Sequence, residues 1–283
     1  MTGDAAPASV TVRAHAKINL TLDVLGQRPD GYHEIESIMQ TISLADDITV
    51  TRTARPGVSI TVDGPYAAGA PTDHTNLAVK AANALLAAAD ATDIGLTIAL
   101  SKSIPSQAGL GGGSSDAAAV LNAVNRLLRS PLDRDALVPL AAKLGADVPF
   151  FLTGGAARVT GIGDRIEAIG AGFTGSLVLV KPPVGVSTAA AYSALDELPG
   201  RQSANATRSW PSGGFANDFE AVIYTLAPEI AAARDALLAA GATTTLLCGS
   251  GATVAGFGPN AAALAISVRE YGVGDVWVVE TSA

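Results

Sequence analysis

A glycine-rich segment between a predicted strand and a predicted helix is the part of the sequence best suited to hold a ligand. Residues 104–116 read Ile-Pro-Ser-Gln-Ala-Gly-Leu-Gly-Gly-Gly-Ser-Ser-Asp. Glycines let a backbone turn sharply and approach a ligand closely, and the first turn of a helix presents unpaired N–H groups at the positive end of its dipole. The segment therefore predicts a site for an anion, most often phosphate.

Two common phosphate-binding patterns do not fit this segment. A P-loop requires a lysine directly after its glycines, and none stands there. The dinucleotide pattern Gly-x-Gly-x-x-Gly, counted from Gly109, meets Ser114 in place of its third glycine. A flexible linker or a simple helix cap is the alternative explanation, but a linker is not expected between a strand and an amphipathic helix.

Other residues able to do chemistry lie in short motifs. Lys17 and Asn19 share the polar face of an N-terminal strand pattern. Tyr32 and His33 occupy a turn-like Asp-Gly-Tyr-His stretch, and an adjacent pair of this kind suits a pyrimidine, which has a π-face and a donor–acceptor edge. Asp147 follows a predicted helix end. From residue type alone, each also has an ordinary explanation as a solvated surface or half-buried side chain.

The elements that must position these residues mix strands and helices without strict β-α-β alternation, which predicts an α+β fold. Apolar residues at the even positions from Val10 to Val24 predict a long strand. Further strands are predicted at 47–53, 58–62, 96–100, 177–180, 244–247 and 276–280. Helices are predicted at 77–89, 115–128, 133–144, 189–195, 217–226, 227–240 and 261–271. Pro139 is expected to kink or split the third helix.

Length and glycine content predict two domains. The chain has 283 residues, which suits two coupled cores. A boundary is expected near Gly154 and Gly155, giving an N-terminal domain over 1–155 and a C-terminal domain over 156–283. The stretch 198–214 is rich in Ser, Gly, Pro and Asn and predicts a loop.

Composition narrows the possible partners and locations. There are 18 basic and 26 acidic residues, a net charge of −8, which argues against a nucleic-acid or anionic-membrane partner. The single cysteine, Cys248, permits no internal disulfide and suits the cytoplasm. Residues 1–17 lack the apolar core of a signal peptide. The uncharged stretch 236–268 is interrupted by glycines, so it predicts buried globular structure rather than a membrane span.

Several motifs taken together resemble the GHMP kinases, the family of galactokinase, homoserine kinase, mevalonate kinase and phosphomevalonate kinase. Pro105 followed by Gly-Leu-Gly-Gly-Gly-Ser-Ser resembles their ATP-phosphate loop, although Gln107 and Ala108 depart from the small residues typical there. One branch acts on 4-diphosphocytidyl-2-C-methyl-D-erythritol. The motifs that resemble this branch are Ala-Lys-Ile-Asn-Leu at 16–20, Asp-Gly-Tyr-His-Glu-Ile at 30–35, Leu-Gly-Ala-Asp-Val-Pro at 144–149 and Gly-Ser-Gly at 249–251. The resemblance extends over about residues 14–256.

The resemblance implies a two-domain α+β fold with the active site in the cleft between the domains. It implies transfer of the γ-phosphoryl group of ATP to the tertiary 2-hydroxyl of the methylerythritol part, a step of the non-mevalonate isoprenoid pathway. Asp147 would accept the hydroxyl proton or orient the hydroxyl. Lys17 would keep Asp147 ionised and stabilise charge near the transferred group. Mg²⁺ is expected to arrive with ATP, because the sequence has no evident carboxylate cage of its own.

The same resemblance implies two sets of binding residues. Those expected to bind ATP are Pro105, Ser106, Gln107, Ala108, Gly109, Leu110, Gly111, Gly112, Gly113, Ser114, Ser115, Asn76 and Lys102. Those expected to bind the cytidylyl substrate are Asn19, Tyr32, His33 and Tyr192. Tyr192 is equally well explained by core packing, and Ser115 either by contact with Mg²⁺ through the nucleotide or by a helix N-cap. The motif at 249–251 would support the phosphate site from the second domain.

Two other functions fit many of these features. One is a different GHMP kinase, such as a homoserine or mevalonate kinase, and the other is a non-catalytic nucleotide or sugar sensor on the same fold. The Tyr32–His33 turn favours a cytidylyl substrate, because a grip on cytosine serves no purpose for a substrate without a base. Lys17 and Asp147 together favour a catalyst over a sensor. A purely structural role leaves the glycine-rich segment unexplained.

Overall fold

The computed structural model describes residues 8–170 and 172–281, and these form two compact units. Unit 1 comprises the described residues up to Ala16 together with 44–106 and 111–153. Unit 2 comprises 17–43, 107–110 and the described residues from Gly154 onward. Each unit is thus built from separate segments of the chain, and the division predicted between residues 155 and 156 stays a prediction.

Unit 1 contains a sheet with the strand order β3-β4-β2-β1. These strands are β1 (Ser9–Gln27), β2 (His33–Thr53), β3 (Gly57–Asp63) and β4 (Gly95–Ser101), the first two continuing into unit 2. β4 pairs antiparallel with β2 and parallel with β3. The strands predicted at 47–53, 58–62 and 96–100 are therefore confirmed.

The α-helices described in unit 1 are α1 (Leu77–Ala88), α2 (Gly112–Leu127), α3 (Arg134–Leu144) and α4 (Val148–Thr153). The apolar faces of α1 and α2 are buried together with Ile48, Val50 and Ile98 of the sheet. This packing stabilises unit 1, because each fully buried aliphatic side chain contributes about 1.5–3 kcal/mol to the free energy of folding. It also fixes the start of α2, where the glycine-rich segment ends.

The predicted split of the third helix at Pro139 is wrong. α3 continues from Arg134 to Leu144, with the Asp133 side chain accepting the Ala136 N–H at 2.9 Å and Gly145 at its C-cap. Pro139 lies on the exposed side of the helix. Because proline has no N–H, the carbonyl four residues before it lacks its helical hydrogen bond, and water can bind that carbonyl instead. Burial of Leu137 and Ala141 holds the helix on both sides of the proline.

Unit 2 contains a four-stranded antiparallel sheet in the order β11-β7-β10-β9. Its strands are β7 (Ser176–Lys181), β9 (Thr244–Leu247), β10 (Val254–Phe257) and β11 (Asp275–Glu280). The remaining strands of the unit are β5 (Ala156–Gly161), β6 (Arg165–Ala168) and β8 (Ala216–Asn217). β5 pairs with β2, and β8 pairs in parallel with β1.

Four helices belong to unit 2: α5 (Thr188–Asp196), α6 (Glu220–Leu226), α7 (Pro228–Ala239) and α8 (Ala261–Arg269). α6 begins three residues later than predicted, because Asn217 lies in β8 opposite Leu22. The core of unit 2 includes Ile223, Ile230 and Leu237 beside Val178 and Val254 of the sheet. The predicted α+β class is confirmed. Within the described residues, none of the helices is long and apolar enough to cross a bilayer.

The predicted loop at 198–214 has neither helix nor strand, which confirms the prediction. Two buried carboxylates bind its backbone. Asp23 accepts the N–H groups of Ala206 at 3.0 Å and Thr207 at 2.8 Å, and Asp218 accepts the N–H of Ala204 at 3.0 Å. The loop is therefore attached to β1 and to the residues preceding α6 despite its polar composition.

Candidate active site

The middle of the glycine-rich segment, Gln107–Leu110, is bound by backbone hydrogen bonds within unit 2. The carbonyls of Gln107 and Ala108 accept from the N–H groups of Ala252 at 3.3 Å and Thr253 at 3.2 Å. The Leu110 carbonyl accepts from the N–H of Lys17 at 3.0 Å. The segment is therefore held between the turn after β9 and strand β1 at the predicted active-site lysine.

Gly109 has to be glycine for two reasons. Its φ is +74°, a backbone conformation that side chains disfavour. A Cβ atom added there would also lie 1.8 Å from the Cys248 carbonyl oxygen. Gly111 is left-handed as well, at φ 72°, and is the N-cap of α2. The segment thus turns through two left-handed glycines directly into α2. The first-turn N–H groups of a helix have no partner within it and are suited to binding an anion.

Side chains from β8 and α5 fix the turn after β9, which holds the glycine-rich segment. The Asn217 side-chain amide donates to the carbonyls of Leu247 at 2.8 Å and Gly249 at 2.7 Å. The Ser250 hydroxyl lies 3.1 Å from that of Thr188. Burial raises the pKa of the Cys248 thiol to about 12, with the Lys17 charge opposing the shift. Cys248 therefore stays a neutral thiol at pH 7 and serves as packing.

Lys17 and Asn19 form part of a buried polar chain on β1. The Lys17 ammonium donates to Asn19 Oδ1 at 2.6 Å, and Asn19 Nδ2 donates to the Ser37 hydroxyl at 2.8 Å. Ser37 in turn donates to the Thr21 carbonyl at 2.5 Å. Lys17 is only 4% exposed, which rules out the solvated surface lysine considered from sequence. Ser37 orients the Asn19 amide so that its oxygen faces the ammonium.

The start of α2 in unit 1 lies beside the turn that carries Asp147. A Cβ atom added at Gly145 would lie 3.9 Å from the Ser114 hydroxyl oxygen. Asp147 stands two residues further on, half-buried, in the turn closed by the Val148 N–H and the Gly145 carbonyl. The Ser115 hydroxyl donates to the His15 carbonyl at 2.6 Å. Ser115 is inside the helix, so its N-cap explanation is wrong.

Asn76 and Lys102 both have structural side-chain bonds in unit 1. The Asn76 side chain is the N-cap of α1, accepting the Ala78 N–H at 2.9 Å and donating to the Pro71 carbonyl at 2.7 Å. The Lys102 ammonium forms ion pairs with Asp116 at 2.8 Å and with Asp46. All three of these charged side chains are buried. The contacts with ATP predicted for Asn76 and Lys102 stay predictions.

A second cluster in unit 2 contains the residues expected to bind cytosine. The His33 ring stacks on Tyr192 with centroids 4.3 Å apart, and Tyr192 packs edge-on against Phe219 at 4.9 Å. His33 Nε2 lies 2.9 Å from both carboxylate oxygens of Asp196. Tyr32 is 60% exposed. Tyr192 therefore packs in the core and also stacks on His33, and its contact with cytosine stays a prediction.

Comparisons with known proteins match both halves of this architecture. Residues 76–155 match the model of the GHMP kinases N terminal domain, and residues 194–272 match that of the GHMP kinases C terminal domain. Over 257 residues the chain is 44% identical to the 4-diphosphocytidyl-2-C-methyl-D-erythritol kinase of Pelotomaculum thermopropionicum, which covers 87% of this chain and 88% of that one. The chain belongs to the 4-diphosphocytidyl-2-C-methyl-D-erythritol kinase family. It is an ATP-dependent small-molecule kinase.

Further relatives agree with this assignment. The kinase of the same name from Geobacter metallireducens is 44% identical over 254 residues, covering 88% of this chain and 89% of the relative. A crystal structure of a 4-(cytidine 5'-diphospho)-2C-methyl-D-erythritol kinase matches with a TM-score of 0.79 and 34% identity, covering 97% of this chain and all of that one. A homoserine kinase from Cytophaga hutchinsonii matches with a TM-score of 0.75 at 19% identity, which shows the shared fold alone.

The predicted site residues fall into three groups in this enzyme. Lys17 and Asn19 lie with Gln107–Leu110 in unit 2, and Asp147 lies with the start of α2 in unit 1. His33 and Tyr192 lie together in unit 2. The sequence does not predict the polar residues that hold these groups in place. They are Ser37, Asp46, Asp116, Asp196 and Asn217, and among these five Asp116 alone stands in a motif, as the last residue of the glycine-rich segment.

The substitution Asp116→Asn is expected to flatten the pH dependence of stability between about pH 4 and pH 7. Burial raises the pKa of Asp116 from 3.8 to about 7; the Lys102 ammonium opposes this shift and the Asp46 carboxylate adds to it. The folded protein thus holds this proton more tightly than the unfolded chain. Its contribution to stability is complete below about pH 4 and is lost as the pH rises to about 7, by at most about 1.4 kcal/mol per pH unit.

Unfolding by urea at several pH values between 4.5 and 8 measures this effect. The difference in unfolding free energy between the wild type and Asp116→Asn should change steadily up to about pH 7 and stay constant above it. Asp93→Asn serves as a control, because it makes the same change at an exposed carboxylate. Parallel curves for wild type and Asp116→Asn would show that Asp116 is ionised throughout.

Proposed function

We propose that this enzyme transfers the γ-phosphoryl group of ATP to the 2-hydroxyl of 4-diphosphocytidyl-2-C-methyl-D-erythritol. The observation that supports phosphoryl transfer most strongly is the glycine-rich segment, bound along Gln107–Leu110 and leading through the left-handed Gly111 into α2. The substrate is the one named for relatives that match 87% of the chain. The His33–Tyr192 pair supports the cytidylyl part of that substrate.

ATP is proposed to lie along the glycine-rich segment, with its phosphates at the start of α2. A hydrogen bond from a backbone N–H to a charged oxygen contributes roughly 1.5–3 kcal/mol, so a few of them can hold a triphosphate without a basic patch. This fits a chain whose net charge is −8. Asn76 and Lys102 are proposed to act on the adenosine side by fixing the backbone, since their described side-chain bonds are made within the protein.

The chemical step requires alignment of the hydroxyl, acceptance of its proton and stabilisation of charge on the phosphoryl group. Asp147 is proposed to accept the proton or to orient the hydroxyl. Lys17 is proposed to stabilise the negative charge on the transferred group, in a position set by Asn19 and Ser37. Asn19 Oδ1 has a second lone pair, which we propose accepts a substrate hydroxyl.

Magnesium is proposed to enter as the Mg²⁺–ATP co-substrate. Ser115 fits a contact with it, because a hydroxyl that donates its hydrogen to the His15 carbonyl keeps oxygen lone pairs for a cation. Among the residues that the structure describes, no three His, Cys, Asp or Glu side chains are grouped to hold a metal. When bound, the ion neutralises phosphate oxygens. A cytoplasmic location, without nucleic-acid or membrane partners, stays a prediction from composition.

The cytosine base is proposed to bind between Tyr32 and the stacked pair His33 and Tyr192. Because the Asp196 carboxylate only accepts hydrogen bonds, His33 Nε2 must carry a hydrogen. In the neutral ring Nδ1 is then an acceptor, which suits the exocyclic amine of cytosine and not the carbonyl of uracil. Asp196 thus sets the hydrogen-bonding pattern that the base would meet.

Substitution of Tyr32 or His33 by alanine is expected to raise the KM for the cytidylyl substrate by about 5- to 150-fold. Loss of stacking on a base costs about 1–3 kcal/mol, which corresponds to that range. The KM for ATP should change less than about twofold. Steady-state kinetics with each substrate varied in turn measure both constants. Tyr271→Ala, which removes a different exposed tyrosine, provides the control. Equal effects on both KM values would contradict the pocket assignment.

A further inference from the structure

One buried carboxylate binds three consecutive residues that lead into the glycine-rich segment. Asp46 Oδ1 accepts the N–H groups of Ser103 at 2.6 Å and Ile104 at 2.8 Å, and Oδ2 accepts the Lys102 ammonium. Asp46 is fully buried on β2. All of these residues belong to unit 1. The chain is thus fixed at the point where it leaves β4, just before Pro105.

The same ammonium group reaches the other end of the segment. Lys102 also donates to Asp116 at 2.8 Å, in the first turns of α2. A Cβ atom added at Gly112 would lie 3.3 Å from Lys102 Nζ, so the ammonium packs against the start of the helix. The beginning and the end of the glycine-rich segment are therefore joined through Asp46, Lys102 and Asp116, which we name the Asp46 clamp.

Stability alone is a weak explanation for the Asp46 clamp. Two carboxylates and one ammonium are removed from water, and replacement of such buried ionic groups by apolar residues is often neutral or stabilising. The charged groups fix the geometry of the chain here, because each one accepts or donates hydrogen bonds in a fixed direction. The distance between the two joined ends of the glycine-rich segment determines the position of the N–H groups at the start of α2.

We propose that Asp46 is a positioning residue for phosphoryl transfer, which holds the glycine-rich segment in the conformation that receives the ATP phosphates. It acts through the Ser103 and Ile104 amides and through Lys102, and it does not touch ATP. This inference rests on the proposed function, in which the segment binds the triphosphate. Misplacement of a phosphate-binding segment by about 1 Å is enough to cost on the order of 100-fold in rate.

The test compares Asp46→Asn with Asp47→Asn. Asparagine keeps an oxygen for the two amides but loses the charge that binds Lys102. Asp47 is the next residue on β2, is exposed, and forms a solvent-exposed ion pair with Arg13 at 3.6 Å. We expect Asp46→Asn to raise the KM for ATP and the Kd of ATP, measured by titration calorimetry, at least tenfold. The KM for the cytidylyl substrate should change less than twofold, and Asp47→Asn should resemble wild type.

An unchanged affinity for ATP in a folded Asp46→Asn variant would overturn the inference, as would an equal rise of both KM values. If Asp46→Asn does not fold, Asp116→Asn is measured instead. Asparagine keeps the size of the side chain but loses the charge that binds Lys102 from α2, so the same selective loss of ATP affinity is expected, and an unchanged affinity would overturn the inference. Absence of turnover by the wild type would contradict the proposed function, whereas ATP titration of wild type and variants still tests the clamp.

Discussion

Substitution of Asp147 by asparagine is expected to lower kcat at least about 100-fold, while the melting temperature changes by only a few degrees. Asparagine has the same shape but cannot accept the hydroxyl proton, and general-base assistance contributes about 10²–10⁴-fold. The carboxylate stands in the turn between α3 and α4, close in sequence to the Gly145 that lies beside Ser114. Because Asp147 is half-buried in a turn, its replacement removes little packing.

Single-turnover kinetics with saturating ATP measure this loss directly, and circular dichroism confirms the fold. Asp135→Asn, an exposed carboxylate in the first turn of α3, is the matched control and should keep wild-type turnover. A reduction in kcat with unchanged KM values would place the effect in the chemical step. Turnover within about threefold of wild type would remove Asp147 from the role of base.

Substitution of Gly109 by alanine is expected to lower kcat/KM for ATP at least about 100-fold. The added Cβ would lie 1.8 Å from the Cys248 carbonyl oxygen, far inside van der Waals contact, and φ is +74°. The segment must therefore leave the turn after β9, and its hydrogen bonds to Ala252 and Thr253 are lost or lengthened. Displacement of a substrate-positioning loop by about 1 Å is sufficient for an effect of this size.

Gly170→Ala is the matched control, because it makes the same change at an exposed position of unit 2 where nothing lies within 4 Å of the added atom. Thermal melting should show both variants folded, with Gly109→Ala less stable. Initial rates at varied ATP concentration then distinguish Gly109→Ala from Gly170→Ala. Wild-type kinetics for a folded Gly109→Ala variant would mean that the segment does not need this conformation to bind ATP.

The elements that could be predicted from sequence have strong local signals. Asp133 and Gly145 directly flank α3 as its N-cap and C-cap, and β1 has a two-residue apolar period from Val10 to Val24. The glycine-rich segment could likewise be identified, because its turn depends on glycine itself. These features are encoded within about 20 residues and need no knowledge of distant parts of the chain.

The elements that were missed depend on distant partners. β5 and β10 are short, and β10 contains Gly256, so their strand character comes from pairing with β2 and with β7 and β9. Residue type alone allows Asn19 to be a solvated side chain, yet Asn19 and Asp23 are both buried, because Ser37 and the backbone of the 198–214 loop bind them. Such contacts join residues 18 to 184 positions apart and have no sequence pattern.

The supporting residues of the site were missed for the same reason. Asp46 lies 57 positions before the Ser103 amide that it binds, and Asp196 lies 163 positions after His33. A lone aspartate in a strand or at a helix end gives no local sign that it binds a distant backbone amide or a distant histidine. The residues of the motifs could be assigned roles by resemblance, whereas the residues that hold them in place became visible only in the fold.

Release of ADP from Mg²⁺–ATP in the presence of 4-diphosphocytidyl-2-C-methyl-D-erythritol tests the central proposal most directly. Homoserine, mevalonate and galactose serve as parallel substrates, and phosphorus NMR of the product locates the new phosphate. We predict turnover with the cytidylyl compound alone, with the phosphate on the 2-hydroxyl. Turnover with one of the other substrates instead would contradict the assigned substrate while keeping the ATP site. Binding of ATP without turnover of any of the four would contradict the assignment as a kinase of this substrate and favour a nucleotide sensor.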